Sequence, residues 1–237
     1  MAVFPGGFPR VLILDYSVDR SEGPLFSKYV PSGSEAIVSS VFSGDGIPSA
    51  SSFSHVMHTG SSLSICVDAD FVPEAAGIVE ECVGLGIPQV GVCYGHQLLC
   101  RALLGPEAVG RCPEGIEAGW MDVDMMGSGL KIPGASGRVR VLQSHFDRVE
   151  AVPAGAEIVA SNGHTRIQAF VDGSRRLMGF QFHPEFDRED GNNMFRRDRE
   201  LLEVNGIDVD EVLAGGPSID TGAVFFGYFF GGRWFHR

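Results

Sequence analysis

Long apolar runs, a cysteine framework and an excess of positive charge are all missing from this sequence of 237 residues. The chain has 18 lysine and arginine residues against 30 aspartate and glutamate residues, which gives a formal net charge of −12. Such a negative field repels phosphate backbones, so we expect no nucleic-acid partner. The most apolar stretch, 224–232, is short and interrupted by glycine. We therefore expect no membrane span and no membrane partner.

The cysteines do not form a pattern that predicts disulfides. There are five of them, Cys66, Cys82, Cys93, Cys100 and Cys112, an odd number at irregular spacing. A reducing compartment is the simpler interpretation. The first ten residues also lack the basic segment followed by an apolar segment that marks a secretory signal. We therefore expect a cytoplasmic protein, by elimination.

Strand and helix candidates alternate over the first half of the chain. Apolar runs bounded by turn residues predict strands at 10–15, 36–42, 55–58 and 88–92. Proline near the start and glycine at the end predict a helix over 73–85, and a second helix is predicted over 97–104. This alternation predicts a parallel sheet covered by helices on both faces.

The pattern changes after Leu104. Short strand candidates joined by turn residues follow at 107–112, 117–125, 138–142, 156–161, 166–171 and 177–183. They predict an antiparallel extension, and so an α/β fold with a mixed, mainly parallel sheet. Helices are predicted at 193–204 and 208–213, and we expect the apolar element 221–235 to dock on the core. No linker divides the chain, so we expect one domain over 1–237, with a helical extension from about 191 onwards.

Cys93 lies between a predicted strand and a predicted helix, in the segment Gly91-Val92-Cys93-Tyr94-Gly95. Glycines two residues away on each side are typical of a nucleophile elbow, here with cysteine in place of serine. The sulfur then lies near a helix N-terminus, whose partial positive charge favours the thiolate. The amide of Tyr94 would be placed to donate to a developing oxyanion. A buried cysteine in a glycine-rich turn is the alternative, and this segment alone leaves both open.

A cysteine nucleophile requires a histidine base, and the base requires a third group that orients it. His183 and Glu185 lie at the end of an apolar strand candidate. Residues two apart on a strand face the same side, so the Glu185 carboxylate can accept from the His183 ring. Pro184 between them indicates a strand end. The alternative is a solvated acid beside a surface histidine, and the elbow upstream argues against it.

The other histidines are weaker candidates. His145 is the main rival for the role of base. His55 and His58 are three apart on one strand candidate and face opposite sides, which makes a poor metal pair. We expect His96 to be a packing or surface residue and His164 to be solvated in a turn. No cysteine–histidine grouping has zinc-ligand spacing, so we expect neither a metal nor a cofactor.

Taken together, Gly91–Gln97 and Phe182–Glu185 resemble the class I glutamine amidotransferases. The resemblance is strongest to the glutaminase part of GMP synthase and to free-standing relatives, and it extends from about residue 11 to residue 186. It implies a flavodoxin-like α/β fold. Weaker matches support it at 59–62, 117–120 and 144–147.

The resemblance also implies roles for individual residues. Cys93, His183 and Glu185 match the family's catalytic triad, which hydrolyses the side-chain amide of glutamine through a γ-glutamyl thioester. The backbone amides of Ser61 and Tyr94 match the oxyanion hole. The residues with an implied role in substrate binding are Gly60, Gln97, Ser144, His145 and Phe146.

Two departures from the family pattern bear on function. The oxyanion loop reads Gly60-Ser61-Ser62 without the family's proline, so we expect a looser loop. No Walker-type signature follows the glutaminase motifs, so we expect ammonia to pass to a synthase on a separate polypeptide. A stand-alone γ-glutamyl hydrolase that cleaves γ-glutamyl peptides uses the same triad and remains the alternative. A non-catalytic protein with this fold is less favoured, because the triad is complete.

Overall fold

Nine strands form one central sheet in the computed structural model, which describes residues 9–232 and residue 234. Along the sheet the strands are ordered β2-β1-β3-β4-β11-β10-β9-β6-β7, and β5 pairs with β8 in a separate ribbon. The strands are β1 (Arg10–Asp15), β2 (Glu35–Ser40), β3 (His55–His58), β4 (Gln89–Val92), β5 (Val109–Arg111), β6 (Glu117–Met125), β7 (Arg138–His145), β8 (Asp147–Val149), β9 (Glu157–Ser161), β10 (Ala169–Asp172) and β11 (Leu177–Phe180).

Helices cover both faces of this sheet and pack beside its antiparallel end. They are α1 (Glu22–Ser27), α2 (Val72–Leu85), α3 (Tyr94–Leu104), α4 (Arg188–Arg197), α5 (Arg199–Val204), α6 (Val209–Ala214) and α7 (Thr221–Gly231). None of the helices in the described part of the chain has the length and apolarity that crossing a bilayer requires.

The sheet changes character at β11. From β2 to β11 every neighbouring pair is parallel, and from β11 to β7 every pair is antiparallel. The predicted α/β fold with an antiparallel extension is thus confirmed. Because β11 runs parallel to β4, the carboxyl ends of both strands meet at one edge, which is where open α/β sheets place their ligands. Cys93 follows β4 and His183 follows β11 at this edge.

Two apolar layers sandwich the sheet. On one face, β-strand side chains pack against Phe225, Phe226 and Phe229 of α7. On the other face they pack against α2 and α3, including Val79 and Leu98. A third cluster joins β6 and β7 to α4, α5 and α6. The sheet edge that holds Cys93 is therefore supported from both sides.

Several element boundaries differ from prediction. The helix predicted over 97–104 begins at Tyr94, and the strand predicted over 177–183 ends at Phe180. The single helix predicted over 193–204 is two helices that meet at Asp198. Neither α1 nor β8 was predicted, because each is too short to show a periodic pattern. The last predicted element reached residue 235, which lies outside the described residues.

Candidate active site

The turn from β4 into α3 holds Cys93 in a strained conformation. Its backbone has φ 48° and ψ −104°, a region that residues with side chains rarely adopt. A Cβ at Gly91 would collide with the backbone of Gly95, and a Cβ at Gly95 would collide with the carbonyl of His58. The glycine spacing noted in the sequence is therefore a steric requirement of the turn. Tyr94 is the first helical residue, so its amide lies among those that the helix itself leaves unpaired.

His183 and Glu185 form a buried pair next to Cys93. The Nδ1 atom of His183 lies 2.6 Å from Oε1 of Glu185, and the Glu185 side chain is fully buried. The amide of His183 donates to the carbonyl of Leu142 at 2.9 Å, which extends the edge of the sheet beyond β11 and fixes the histidine backbone. The Thr221 hydroxyl in turn donates to the carbonyl of Pro184 at 2.9 Å. The predicted side-by-side arrangement is thus present.

The charges around His183 favour its imidazolium form. Burial by itself lowers the pKa of His183, but the Glu185 carboxylate, the nearby Cys93 and the hydrogen bond to Glu185 raise it well above 6.5. The Nε2 atom of His183 is buried and has no hydrogen-bond partner among the described residues. An imidazolium beside a cysteine stabilises the thiolate, which is the nucleophilic form.

The loop after β3 passes beside Cys93 and His183. A Cβ at Gly60 would lie 2.9 Å from Cε1 of His183 and 3.7 Å from Cβ of Cys93, so the loop backbone passes directly beside both groups. The Ser61 hydroxyl donates to the carbonyl of Tyr16 at 2.9 Å and accepts from the amide of Leu63 at 3.1 Å. The loop predicted to be loose without proline is therefore tied down by the Ser61 side chain.

A pocket of about 150 Å³ opens above Cys93. The residues in its wall include most of those given a role by the family resemblance, namely Ser61, Cys93, Gln97, Ser144, His145 and Phe146. Gln97 donates through Nε2 to the carbonyl of Asp147 at 2.7 Å and to Gln181 at 3.1 Å, which leaves its Oε1 as the group with bonding capacity to spare. The carbonyl of Ser144 lies 3.9 Å from Sγ of Cys93.

His145, the rival base, has both ring nitrogens engaged elsewhere. Its Nε2 lies 2.9 Å from Oε2 of Glu117, and its Nδ1 lies 3.0 Å from the carbonyl of Asp147. Both partners are hydrogen-bond acceptors, so neither nitrogen is available to take a proton from Cys93. The Cys112 sulfur lies 3.8 Å from the same Nδ1, but burial raises the pKa of the Cys112 thiol to about 11. A second cysteine nucleophile at this position is therefore disfavoured.

The other histidines in the described part of the chain contact residues other than Cys93. His55 packs against Phe229, whereas His58 bonds to Tyr16 at 3.0 Å, so the two face opposite sides as predicted. His96 is fully buried, in agreement with a packing role. The prediction that His164 is solvated was wrong, because its Nδ1 lies 3.4 Å from Oε2 of the buried Glu117.

Two acidic residues at the site were missed by sequence reasoning. Asp147 accepts hydrogen bonds from the Ser64 hydroxyl at 2.6 Å and from the Ile65 amide at 3.1 Å. It therefore anchors the loop after β3 at Ser64 and Ile65. Glu22 of α1 lies with His183 and Glu185 in a cluster whose potential ligand atoms are all within 4.8 Å of one another. This is a grouping that could hold a metal ion, and no sequence motif joins Glu22 to the other two residues.

Comparison with known proteins shows which family this chain is similar to. The family described as Glutamine amidotransferase class-I matches residues 65–200, more than half of the chain. One subunit of the glutamine-hydrolysing GMP synthase from Sulfolobus acidocaldarius is 30% identical over 61% of this chain and 74% of its own length. The GMP synthase of Oleidesulfovibrio alaskensis is 38% identical over 53% of this chain, but the match spans only 24% of that protein.

Solved structures share the fold at lower identity. A glutamine amido transferase from Methylobacillus flagellatus superposes with a TM-score of 0.77 at 20% identity, with 96% of both chains covered. A glutamine amidotransferase from Thermotoga maritima superposes with a TM-score of 0.74 at 21% identity, over 95% of this chain and 94% of that one. These likenesses show a shared fold, and the family match over residues 65–200 places the chain: it belongs to the class I glutamine amidotransferases, enzymes that hydrolyse the side-chain amide of glutamine.

Proposed function

We propose that this protein is a glutaminase that acts through a Cys93–His183–Glu185 triad and passes ammonia to a separate synthase. The observation that carries the proposal is the strained Cys93 at the floor of a pocket, beside a buried His183–Glu185 pair. Backbone strain at a nucleophile persists only where the surrounding structure enforces it. Here the two close-packed glycines of the elbow enforce it.

The proposed reaction follows from the positions of these groups. The Cys93 thiolate attacks the side-chain amide carbon of glutamine, and the amides of Ser61 and Tyr94 receive the developing oxyanion. His183 then donates its proton to the amide nitrogen as the carbon–nitrogen bond breaks, which releases ammonia and leaves a γ-glutamyl thioester. His183 next takes a proton from water, whose hydroxide displaces the sulfur to give glutamate. Glu185 holds the ring throughout.

The size of the pocket supports free glutamine as the substrate. Its volume of about 150 Å³ is below the ~300–1,000 Å³ of pockets that enclose drug-sized ligands. Asp198, at the junction of α4 and α5, and Leu201 of α5 form part of its wall. A γ-glutamyl peptide carries an amino acid in place of ammonia as its leaving group, so it needs more room than glutamine. This argues for glutamine over the alternative substrate.

The name of one relative supports an acceptor on another polypeptide. The Sulfolobus protein is named as a single subunit of a glutamine-hydrolysing GMP synthase, and this chain covers 74% of it. The net charge of −12 would favour a synthase with a basic docking surface, because complementary charge speeds association. GMP synthesis itself is the activity that the two relatives' names suggest for the assembled enzyme.

The decisive experiment compares substrates. Purified protein is incubated with glutamine and, separately, with γ-glutamyl peptides, and released glutamate is measured. We expect kcat/KM for glutamine to exceed that for the peptides. Addition of an ATP-dependent synthase that lacks its own glutaminase should raise the turnover of glutamine. Preferential cleavage of the peptides, with no response to the synthase, would establish the stand-alone hydrolase instead.

A further inference from the structure

Glu22, the first residue of α1, brings a second carboxyl group to the back of the proposed triad. One oxygen of Glu22, one of Glu185 and a ring nitrogen of His183 all lie within 4.8 Å of one another. Although Glu22 is only half-buried as a residue, its Oε2 atom is buried. The Oε2 atoms of both glutamates are buried and have no hydrogen-bond partner among the described residues.

A single proton resolves this arrangement. Two ionised carboxylates at this separation repel each other, and each would leave a buried oxygen without a donor. One protonated carboxyl group can donate to the other, so that both orphan oxygens are satisfied at once. The Oε1 atom of Glu185 is already occupied by His183 at 2.6 Å. The proton is therefore assigned to Glu22, whose carboxylic acid can donate towards the unpaired Oε2 of Glu185.

The charged groups around Glu22 agree with this placement. Burial, followed by the charge of Glu185, raises the pKa of Glu22 to about 8, and His183 opposes the shift. Asp15 of β1 adds to it, while its own Oδ2 accepts from the amide of Gly23 at 2.9 Å. Arg197 of α4 is close enough for the charge of Glu22 to raise its pKa. These surroundings favour the neutral acid form of Glu22 near pH 7.

We propose that Glu22 is a positioning residue, whose carboxylic acid donates a hydrogen bond to Oε2 of Glu185 and so aims Oε1 at His183. The inference rests on the proposed glutaminase function. A neutral donor also draws charge away from Glu185, which makes the His183 imidazolium a better proton donor to the departing ammonia. When Glu22 ionises, its second negative charge repels Glu185 and stabilises the imidazolium. Turnover is then expected to fall as pH rises through about 8.

The test compares Glu22→Gln, which keeps a neutral donor, with Glu22→Leu, which removes it. We expect Glu22→Leu to lower kcat by ~10–100-fold with KM nearly unchanged, the loss of one hydrogen bond to a charged group. Glu22→Gln should retain most of kcat at pH 7 and lose the decline above pH 8. Glu189→Leu removes an exposed carboxylate four residues from Glu185 and serves as the matched control.

A second readout does not depend on glutamine. The rate of Cys93 alkylation by iodoacetamide between pH 5 and 10 reports the thiolate–imidazolium pair, and its profile should change in Glu22→Leu and above pH 8 in the wild type. If the wild type does not hydrolyse glutamine but this profile still depends on Glu22, the proposed function fails and the positioning role stands. Wild-type kcat and an unchanged alkylation profile in Glu22→Leu would overturn the positioning role. So would loss of wild-type activity on addition of EDTA, which would assign the cluster to a metal ion.

Discussion

At the scale of single residues, the backbone of Cys93 stores conformational energy. A residue with a side chain at φ 48° and ψ −104° costs on the order of 1–3 kcal/mol relative to a relaxed conformation. Elsewhere in the described chain, the residues other than glycine with positive φ are Arg20 and Arg176. Neither of these lines the pocket above Cys93. The strain therefore falls on the proposed nucleophile, which lines the pocket.

Replacement of this cysteine tests the nucleophile. Cys93→Ala should lower kcat for glutamine by ~10⁴-fold or more, because covalent catalysis is lost, while the thermal midpoint stays near that of the wild type. Labelling by a glutamine-like chloroketone should disappear with it. Cys66→Ala, which removes an exposed thiol, should keep both turnover and labelling. Turnover by Cys93→Ala close to that of the wild type would rule out the proposed mechanism.

The two histidines near the pocket should differ in which kinetic constant they control. His183→Ala should be almost inactive, with kcat lowered far more than KM is raised, because no other group can move the proton. His145→Ala should chiefly raise KM, because both of its ring nitrogens hold the pocket wall and not the reacting atoms. Steady-state kinetics on glutamine separate these effects. Loss of kcat in His145→Ala with retention in His183→Ala would reverse the assignment of the base.

How far a site residue could be predicted depended on its neighbours in the sequence. Cys93 is marked by glycines two positions away, and His183 by an acid two positions away. Each of these patterns is local and has a steric or geometric reason. Glu22 and Glu117 carry no such mark, because their partners lie far away in the chain and meet them only across the folded sheet. Buried polar contacts between distant segments are determined by topology, which a single sequence reveals only through short motifs.

At the scale of elements, strongly periodic segments were predicted well and short ones were not. The helix predicted over 73–85 is α2 (Val72–Leu85), and the left-handed Gly86 ends it as the glycine pattern indicated. The helix α3 begins three residues before its prediction, since the elbow passes directly from β4 into the helix. Of the two-stranded ribbon, β5 was predicted and β8 was not, because β8 has only three residues. Its pairing partner lies far away in the chain, with Val109 opposite Val149.

The loop after β3 is the element whose order can be tested most directly. Ser61→Ala removes the hydroxyl that ties this loop to Tyr16 and Leu63, so the Ser61 amide should lose its aim at the oxyanion. One oxyanion donor is worth about 10²–10³ in kcat, and a partly misaimed amide should cost a fraction of this, ~10-fold or more. Ser62→Ala, at an exposed position in the same loop, should leave kcat unchanged. Equal kcat values in the two variants would show that the loop does not depend on the Ser61 hydroxyl.

At the scale of the whole molecule, buried histidines link stability to pH. Burial lowers the pKa of His55 and His58 to about 4 and that of His96 to about 3, against about 6.5 in an unfolded chain. Below pH 6.5 the unfolded chain therefore binds protons that the folded chain does not, and the free energy of unfolding falls. This stability is present in full above pH 6.5 and is lost as pH falls towards 3. His183 acts in the opposite sense, because its pKa is raised on folding.

Replacement of one of these histidines should make the free energy of unfolding fall less between pH 7 and pH 5. A histidine that stays neutral in the folded state lowers the free energy of unfolding by about 2 kcal/mol between pH 7 and pH 5. This follows because pH 5 lies about 1.5 units below the unfolded pKa and each unit is worth about 1.36 kcal/mol. His96→Met puts an adaptable apolar side chain into the same buried site beside Phe170. Urea unfolding at pH 7 and pH 5 should show a difference in unfolding free energy that is smaller by about this amount than in the wild type. Leu98→Met changes packing on the same helix without removing a titrating group, and it should keep the wild-type difference. If His96→Met kept it as well, His96 would have to accept its proton in the folded state near pH 6.5.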